Sequence, residues 1–219
     1  MPTKAALLDL DGTLVDANYH HALAWYRAFR ARGIVLPVWR LHRHIGMGGD
    51  MYVRAVAGDE VEERLGGELR DEHSAQFQPI RDECEPLEGA RDLVAALKER
   101  GLVVVLASSS GQDDLDFFLD KLDVRELVDG WTSKDDVERS KPHPEVVQAA
   151  IEKAGADAAV MLGDSRWDIE SAASAGVETV AVITGGWSEQ ELRDHGAVAV
   201  YESLVDLRER LDETPFAAA

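Results

Sequence analysis

Asp9 and Asp11 are the first residues in the chain whose types and spacing could do chemistry. They follow an apolar segment and open the run Asp9-Leu10-Asp11-Gly12-Thr13-Leu14-Val15-Asp16. Alternating carboxylates around a tight turn can share a hard cation through their oxygen atoms, and Gly12 permits the sharp turn. A lone pair of acids would indicate only a solvated turn, but the apolar segment before the pair and the full eight-residue run favour a ligand site.

Two later segments carry groups that can hold an anion. Ser108 ends the apolar residues 103–107, and Ser109 follows it near the predicted start of a helix, where backbone N–H groups favour negative charge. Lys141 lies in the segment Ser-Lys-Pro-His-Pro, just ahead of another predicted helix. Because the net charge of the chain is −19, an anionic ligand is repelled at long range and needs local cations. Lys141 supplies one.

The positions of these residues follow from an alternation of apolar and amphipathic segments. Strands are predicted at residues 4–10, 101–107, 127–131, 158–162, 178–183 and 197–200. Helices are predicted at residues 90–100, 113–122, 144–154, 168–175, 189–195 and 204–211, with a loose tail at 214–219. This order predicts an α/β fold with a doubly wound, parallel, Rossmann-like sheet. Ligands of such sheets bind beyond the carboxyl ends of the strands.

Residues 16–85 differ from the rest, since their pattern is helical and contains no strand signal. We therefore predict an α/β core from residues 1–15 and 86–219, with residues 16–85 inserted as an all-helical cap. Asp16 and Asn18 stand where the first cap helix opens, and helix capping is the simplest role for both.

Four separated motifs, in the same order along the chain, make the sequence resemble the haloacid dehalogenase superfamily. They are Asp-Leu-Asp-Gly-Thr from residue 9, the apolar strand that ends in Ser108, Ser-Lys-Pro-His-Pro from residue 140, and Gly-Asp-Ser-Arg-Trp-Asp from residue 163. The likeness is to the phosphatase-like branch that carries a small helical cap, represented by phosphoglycolate phosphatases and β-phosphoglucomutases. The dehalogenases of this family lack the second aspartate, so the resemblance implies that Asp11 serves phosphate chemistry and not halide chemistry.

The resemblance implies a role for each motif. Asp9 would be the nucleophile, Asp11 the general acid and base, Ser108 a hydrogen-bond donor to the phosphoryl group, and Lys141 the bridge between Asp9 and a phosphate oxygen. A magnesium ion would be held by the carboxylates of Asp9 and Asp164 and the backbone carbonyl of Asp11.

Two supporting residues follow, one of them with two interpretations. Asp168 would support the waters of the metal or Lys141, or would act only as an acid that stabilises a helix N-terminus. Ser109 would assist the anion.

The cap carries weaker signals. The resemblance places His21 near the entrance of the active site, in hydrolases and phosphomutases alike. Arg43, His44 and Gly48 belong to a basic, glycine-containing segment that could reach a substrate. A glycine-rich turn with exposed bases is an equally good interpretation of this segment.

We predict a Mg²⁺-dependent phosphatase that hydrolyses a small phosphorylated metabolite through an aspartyl phosphate. A sugar phosphomutase is the alternative, and a binding protein on the same scaffold is a third. The 42 acidic residues against 23 basic ones argue against nucleic acid and anionic membrane as partners. One cysteine, no apolar segment of about 20 residues and no signal pattern predict a cytoplasmic protein. The oligomeric state stays open.

Overall fold

A six-stranded parallel sheet forms the centre of the protein, which we describe from a computed structural model over residues 3–217. The order of the strands is β3-β2-β1-β4-β5-β6, and every neighbouring pair is parallel. The strands are β1 Lys4–Leu8, β2 Val103–Ala107, β3 Gly130–Thr132, β4 Ala158–Gly163, β5 Glu178–Val182 and β6 Ala199–Tyr201. The chain adds β2 and β3 on one side of β1 and then β4, β5 and β6 on the other side. This change of side makes the sheet doubly wound, as predicted.

Helices cover both faces of this sheet and form a separate group after β1. Residues 3–217 contain ten α-helices: α1 Asn18–Ala31, α2 Val38–His42, α3 Gly49–Ala57, α4 Asp59–Phe77, α5 Ala90–Glu99, α6 Gln112–Lys121, α7 Glu145–Ala154, α8 Arg166–Ser174, α9 Glu189–Asp194 and α10 Leu204–Glu209. The predicted elements are confirmed, with ends that shift by a few residues.

The alternation of side chains along β1 explains the two layers of helices. Ala6 and Leu8 are buried in the cluster that includes residues of α5, α6 and α10. Ala5 and Leu7 are buried in a second cluster with residues of α7 and α8. Successive residues of a strand point to opposite faces, so a strand buried on both sides must be apolar throughout. The continuous apolar character of β1 therefore reflects its central place.

The helices α1 to α4, the helical insertion, have an apolar cluster of their own. Trp25, Phe29, Tyr52 and Leu69 belong to this cluster, and all four are buried. The chain enters and leaves the insertion at adjacent points, where the Asp16 N–H donates to the Glu85 carbonyl at 2.9 Å. The division of the chain into a core and a cap of residues 16–85 stays a prediction, and these two observations support it.

Two local predictions differ from the structure. β1 ends at Leu8, because the Leu10 carbonyl already accepts hydrogen bonds within the following turn, at 2.8 Å from the Leu14 N–H and at 3.0 Å from the Val15 N–H. The loose tail is wrong for residues 214–217, since the Phe216 side chain is fully buried in the main cluster. Ala218 and Ala219 lie outside the described residues. Within residues 3–217, no helix has both the length and the apolar composition needed to cross a bilayer.

Candidate active site

The carboxylates of Asp9 and Asp11 stand at the end of β1, on a turn that requires glycine. The backbone N–H of Asp9 donates to the Leu162 carbonyl of β4 at 2.9 Å, which fixes the start of the turn. Gly12 has φ +84°, and a Cβ there would lie 2.2 Å from Asn18 Nδ2 and 2.7 Å from Asp164 Oδ2. Only a residue without a side chain allows this backbone conformation and such a close approach.

Lys141 is a buried cation between two carboxylates. Its side chain is 1% exposed, and its Nζ donates to Asp9 Oδ1 and, at 2.7 Å, to Asp168 Oδ1. Burial alone would lower the pKa of a lysine, but the charges of Asp168 and Asp9 and their hydrogen bonds outweigh it and raise the pKa. Lys141 therefore stays protonated at the base of the site.

Asp164 reaches the same place from the end of β4. Its Oδ1 accepts a hydrogen bond from Thr13 Oγ1 at 2.9 Å, and its Oδ2 accepts one from Asn18 Nδ2 at 2.9 Å. Burial raises the pKa of Asp164 well above its usual value, and the charges of Asp168 and Asp9 raise it further. Burial likewise raises the pKa of Asp9 to about 7, against the opposing effect of Lys141.

These carboxylates fit a divalent cation. Carboxylate oxygens of Asp9, Asp164 and Asp168 lie within 4.8 Å of one another, and all three side chains are buried. Three buried carboxylates exceed the single positive charge of Lys141, and burial, followed by repulsion from neighbouring carboxylates, raises the pKa values of Asp9 and Asp164. A hard cation with oxygen ligands would compensate it.

Asp168 combines both of its predicted interpretations. Its Oδ2 accepts hydrogen bonds from the Ser165 hydroxyl at 2.6 Å and the Ser165 N–H at 3.2 Å, which caps α8. Its Oδ1 accepts from Lys141. Asp168 therefore holds Lys141 in place and caps α8 with the same carboxylate.

The serines after β2 approach Asp11 from the neighbouring strand. Ser110 Oγ donates to Asp11 Oδ2 at 2.6 Å, and the Ser110 N–H donates to Ser108 Oγ at 3.0 Å. Ser109 Oγ is buried and has no hydrogen-bond partner among the described residues. A hydroxyl in this position is available to a ligand.

A pair of histidines from the helical insertion also contacts Asp11. His21 Nε2 of α1 lies 3.6 Å from Asp11 Oδ1, and His21 Nδ1 lies 3.2 Å from His73 Nε2 of α4. Burial opposes ionisation of Asp11, but the proximity and charge of His21 and the hydrogen bond from Ser110 outweigh burial and lower the pKa of Asp11.

A cavity of about 340 Å³ joins these groups. Its lining includes Asp9, Asp11, Ser109 and Lys141 at the strand ends. The insertion contributes further lining residues, among them His21, Trp25, Gly48, Arg70 and His73. Part of the predicted site, from core and insertion, is therefore brought together around one space large enough for a small metabolite. Within the described residues, Ser108, Asp164 and Asp168 are buried behind this lining and do not form part of it.

Arg43 and His44 are placed elsewhere. Arg43 Nη2 lies 2.6 Å from Glu191 Oε1, and its guanidinium stacks 3.3 Å from the centroid of the Trp187 ring. His44 Nδ1 lies 2.8 Å from the Arg40 carbonyl, to which it donates, and its ring stacks on Trp167. In the part of the chain that the structure describes, the cavity lining includes neither side chain. Their predicted contact with substrate is not supported, because both lie between the insertion and the core.

Gly48, from the same segment, does line the cavity. A Cβ on Gly48 would lie 2.2 Å from Ser140 Oγ. The segment thus approaches the site through the backbone of Gly48, and its basic side chains, Arg43 and His44, lie elsewhere.

Three contributors were missed by the sequence analysis. Asn18 was interpreted as a helix cap and Thr13 was given no role, yet both donate to Asp164. His73 belongs to none of the motifs, yet it is bonded to His21. The position of Thr13 within the first motif was a usable signal, whereas nothing in the spacing of 52 residues connects His21 to His73.

Comparisons with known proteins agree with this geometry. The model of a hydrolase family described as haloacid dehalogenase-like hydrolase matches residues 3–176. The crystal structure of a hydrolase from Pseudomonas syringae superposes with a TM-score of 0.90 and 31% identity, covering 96% of this chain and 99% of that one.

Two curated relatives have more specific names. The N-acetylmuramic acid 6-phosphate phosphatase of Pseudomonas aeruginosa is 29% identical over 221 residues, which is 97% of this chain and 96% of that protein. Pyrophosphatase PpaX of Bacillus cereus is 29% identical over 191 residues, 83% of this chain and 84% of the relative.

Proposed function

The chain belongs to the haloacid dehalogenase-like hydrolase family and is a phosphoric monoester hydrolase, and we propose that it works through a phosphorylated Asp9. The observation that carries the proposal is the buried contact of Lys141 with Asp9, beside Asp164 and facing the cavity. A carboxylate attacks phosphorus only when its repulsion from the phosphate is reduced, and a cation held against it does this.

In the first step, a carboxylate oxygen of Asp9 forms a bond to phosphorus and the bond from phosphorus to the leaving oxygen breaks. Lys141 stabilises the negative charge on the phosphoryl oxygens and keeps Asp9 in place. The hydroxyl of Ser109, which is without a partner in the described residues, is available to donate to the same group. Ser108 orients this loop by accepting from the Ser110 N–H.

Asp11 transfers the protons in both steps. In the first step it gives a proton to the leaving oxygen, and in the second it takes one from the water that attacks the aspartyl phosphate. The lowered pKa of Asp11 suits the second role. A phosphate dianion beside Asp11 opposes that shift, because a nearby negative charge raises the pKa of a carboxyl group.

We propose Mg²⁺ as the cofactor, bound by Asp9 and Asp164 with the Asp11 backbone carbonyl. When bound, the ion supplies positive charge that neutralises the phosphate and lowers the pKa of Asp9. Thr13 and Asn18 hold the Asp164 carboxylate in position for this role. The excess of buried carboxylates over ammonium supports the proposal.

The substrate that fits is a small phosphorylated metabolite. The cavity volume of about 340 Å³ admits a compound of the size of a sugar phosphate. The two curated relatives are named for a sugar phosphate and for pyrophosphate. The net charge of −19 supports the proposal that neither nucleic acid nor membrane is a partner. A cytoplasmic location is consistent with the buried free thiol of Cys84.

The test is release of phosphate from p-nitrophenyl phosphate and from a panel of sugar phosphates in the presence of Mg²⁺. Asp9→Asn should abolish turnover, and acid-stable labelling of the wild-type protein at Asp9 should disappear with it. Asp16→Asn is the matched control, because it removes an exposed carboxylate from the same segment. Full activity of Asp9→Asn would refute the mechanism.

The same residues would serve a phosphomutase, in which Asp9 returns the phosphoryl group to a second hydroxyl of the sugar. Product analysis with glucose 1-phosphate separates the two activities. Free phosphate supports the hydrolase, and isomerisation without free phosphate supports the mutase.

A further inference from the structure

His73 is a half-buried histidine that the proposed chemistry does not use. It lies on α4 within the helical insertion, and its ring stacks on Trp25 with centroids 4.2 Å apart. Its Nε2 lies 3.2 Å from Nδ1 of His21, on α1. A polar nitrogen withdrawn from water is costly unless its hydrogen bonds are made, so the bond to His21 stabilises the placement of the His73 ring.

The bond to His73 determines what His21 presents to the core. Phe77 stacks on the His21 ring at 3.9 Å and limits its rotation. With Nδ1 engaged by His73, the Nε2 of His21 is left facing Asp11 Oδ1 at 3.6 Å. The other oxygen of Asp11 already accepts from Ser110. Asp11 therefore accepts a hydrogen bond from a residue of the core at one carboxylate oxygen, and a residue of the insertion lies near its other oxygen.

This arrangement determines which ring nitrogens of His73 and His21 carry protons. Burial lowers the pKa of His73 well below its usual value, so its ring is neutral. When Nε2–H of His73 donates to Nδ1 of His21, the proton of the His21 ring lies on Nε2. That N–H faces, at 3.6 Å, a buried carboxylate oxygen of Asp11 that has no hydrogen-bond partner within the described residues. A bare nitrogen in its place would repel the carboxylate.

We propose that His73 is a positioning residue, which orients His21 and through it holds the carboxyl group of Asp11 in the rotamer that protonates the leaving oxygen. The inference rests on the proposed function, because it assigns His73 to the step in which Asp11 acts as general acid. It gives the helical insertion a part in the chemistry in addition to lining the cavity.

A purely structural role would depend on the ring of His73, whereas positioning depends on its nitrogen. His73→Phe keeps an aromatic ring against Trp25 and removes the bond to His21. His73→Gln removes the ring and keeps an amide that can donate to, or accept from, His21 Nδ1 at similar reach. The two variants therefore separate the roles.

The measurement is kcat/KM for an alkyl phosphate and for p-nitrophenyl phosphate, whose leaving group needs little protonation. His73→Phe should lower kcat/KM about 10- to 100-fold for the alkyl ester and less than about 3-fold for the aryl ester, in the range found for residues that orient a reacting group. His73→Gln should stay within about 3-fold of wild type for both esters.

Tyr52→Phe is the control for the insertion as a whole. Tyr52 is buried in the apolar cluster of the helical insertion, and its hydroxyl donates to the Leu41 carbonyl at 2.8 Å, away from Asp11. It should leave the ratio of the two kcat/KM values unchanged. If His73→Phe does not fold, His73→Met takes its place, with the same expected ratio, because methionine adapts to irregular interiors.

An equal loss for both esters in His73→Phe, or a loss in His73→Gln as large as in His73→Phe, would overturn the inference. Asp9→Asn is assayed in parallel to distinguish failure of the positioning role from failure of the proposed function. If Asp9→Asn is inactive and His73→Phe shows no change in the ratio, the positioning role fails and the proposed function stands. Activity in Asp9→Asn overturns both.

Discussion

The sheet edge and the helical insertion meet at the same cavity, but they hold their residues in different ways. At the sheet edge, Asp9 and Asp164 follow directly on neighbouring parallel strands, so the backbone brings them together. In the insertion, His21 and His73 lie on two helices and meet only through the packing of their side chains. Positions set by backbone hydrogen bonds tolerate little change, and positions set by helix packing can vary without loss of the fold.

The two regions are also joined by polar contacts. Asn18 of the insertion donates to Asp164, and Asp50 of α3 accepts from the Ser140 N–H at 3.1 Å, next to Lys141. The insertion thus supports the groups of the sheet edge in addition to covering them. The comparison predicts that substitutions at the strand ends have large effects on activity and that substitutions at these contacts have intermediate effects. Substitutions at the outer boundary between the insertion and the core should have small effects.

The largest effect is expected at the strand ends for Lys141→Met. Removing the ammonium leaves the buried carboxylates of Asp9 and Asp168 uncompensated. We expect kcat to fall by about 10³-fold or more, and the free energy of unfolding to fall by about 3–5 kcal/mol. Steady-state kinetics and urea unfolding measure the two changes.

Lys153→Met is the control for Lys141→Met. Lys153 forms a more exposed ion pair with Asp136, at 2.9 Å. Its replacement should change the free energy of unfolding by less than about 1 kcal/mol. Equal effects of the two substitutions would contradict the central place given to Lys141.

The next largest effect is expected for Asp164→Asn, which removes a charge from the proposed cation site. The concentration of Mg²⁺ that gives half-maximal activity should rise by more than about 100-fold, beyond the range of residues that only orient a ligand. Titration of activity with Mg²⁺ is the measurement. An unchanged Mg²⁺ dependence would show that Asp164 is not a ligand.

An intermediate effect is expected for Asn18→Ala, at the contact between the two regions. Since Asn18 orients the Asp164 carboxylate, the same titration should show a rise of about 10- to 100-fold in the Mg²⁺ requirement. A residue that only caps α1 would change the free energy of unfolding and leave the Mg²⁺ requirement as in wild type. The two measurements on one variant distinguish these roles.

The smallest effect is expected for Glu191→Gln, at the outer boundary of insertion and core. Hydrogen bonds from the Ser188 N–H and hydroxyl, and then from Arg43, lower the pKa of Glu191 from 4.5 to about 2. A lowered pKa stabilises the folded state above pH 4.5, and this contribution is lost as the pH falls from 4.5 to about 2.

The Glu191 side chain is 43% exposed, so the contribution at neutral pH should be below about 1 kcal/mol. Unfolding of wild type and Glu191→Gln across this pH range should show a difference that vanishes at the acid end. The activity of the variant at neutral pH should match wild type, since the Arg43–Glu191 pair lies outside the cavity. A large loss of activity would indicate that Arg43 contributes to the active site after all.

The sequence alone determined the sheet, its order of elements and the residues at the strand ends. Apolar runs that stop at Asp9, Ser108 and Asp164 predict strands, and parallel strands place their carboxyl ends along one edge. The physical reason is local, because alternation, turn chemistry and the ends of apolar runs are all properties of short segments. The resemblance to a family added the expected role of each residue.

Only the tertiary structure decided how the insertion meets that edge. Arg43 and His44 are of the basic residue types expected to contact an anionic substrate, yet they pack on Trp187 and Trp167 outside the cavity. His73 has no sequence signal, yet it reaches His21 because α1 and α4 pack closely. Phe216 follows a polar segment and is nevertheless buried. Which face of a helix is covered, and by what, depends on partners distant in sequence, and no local pattern encodes them.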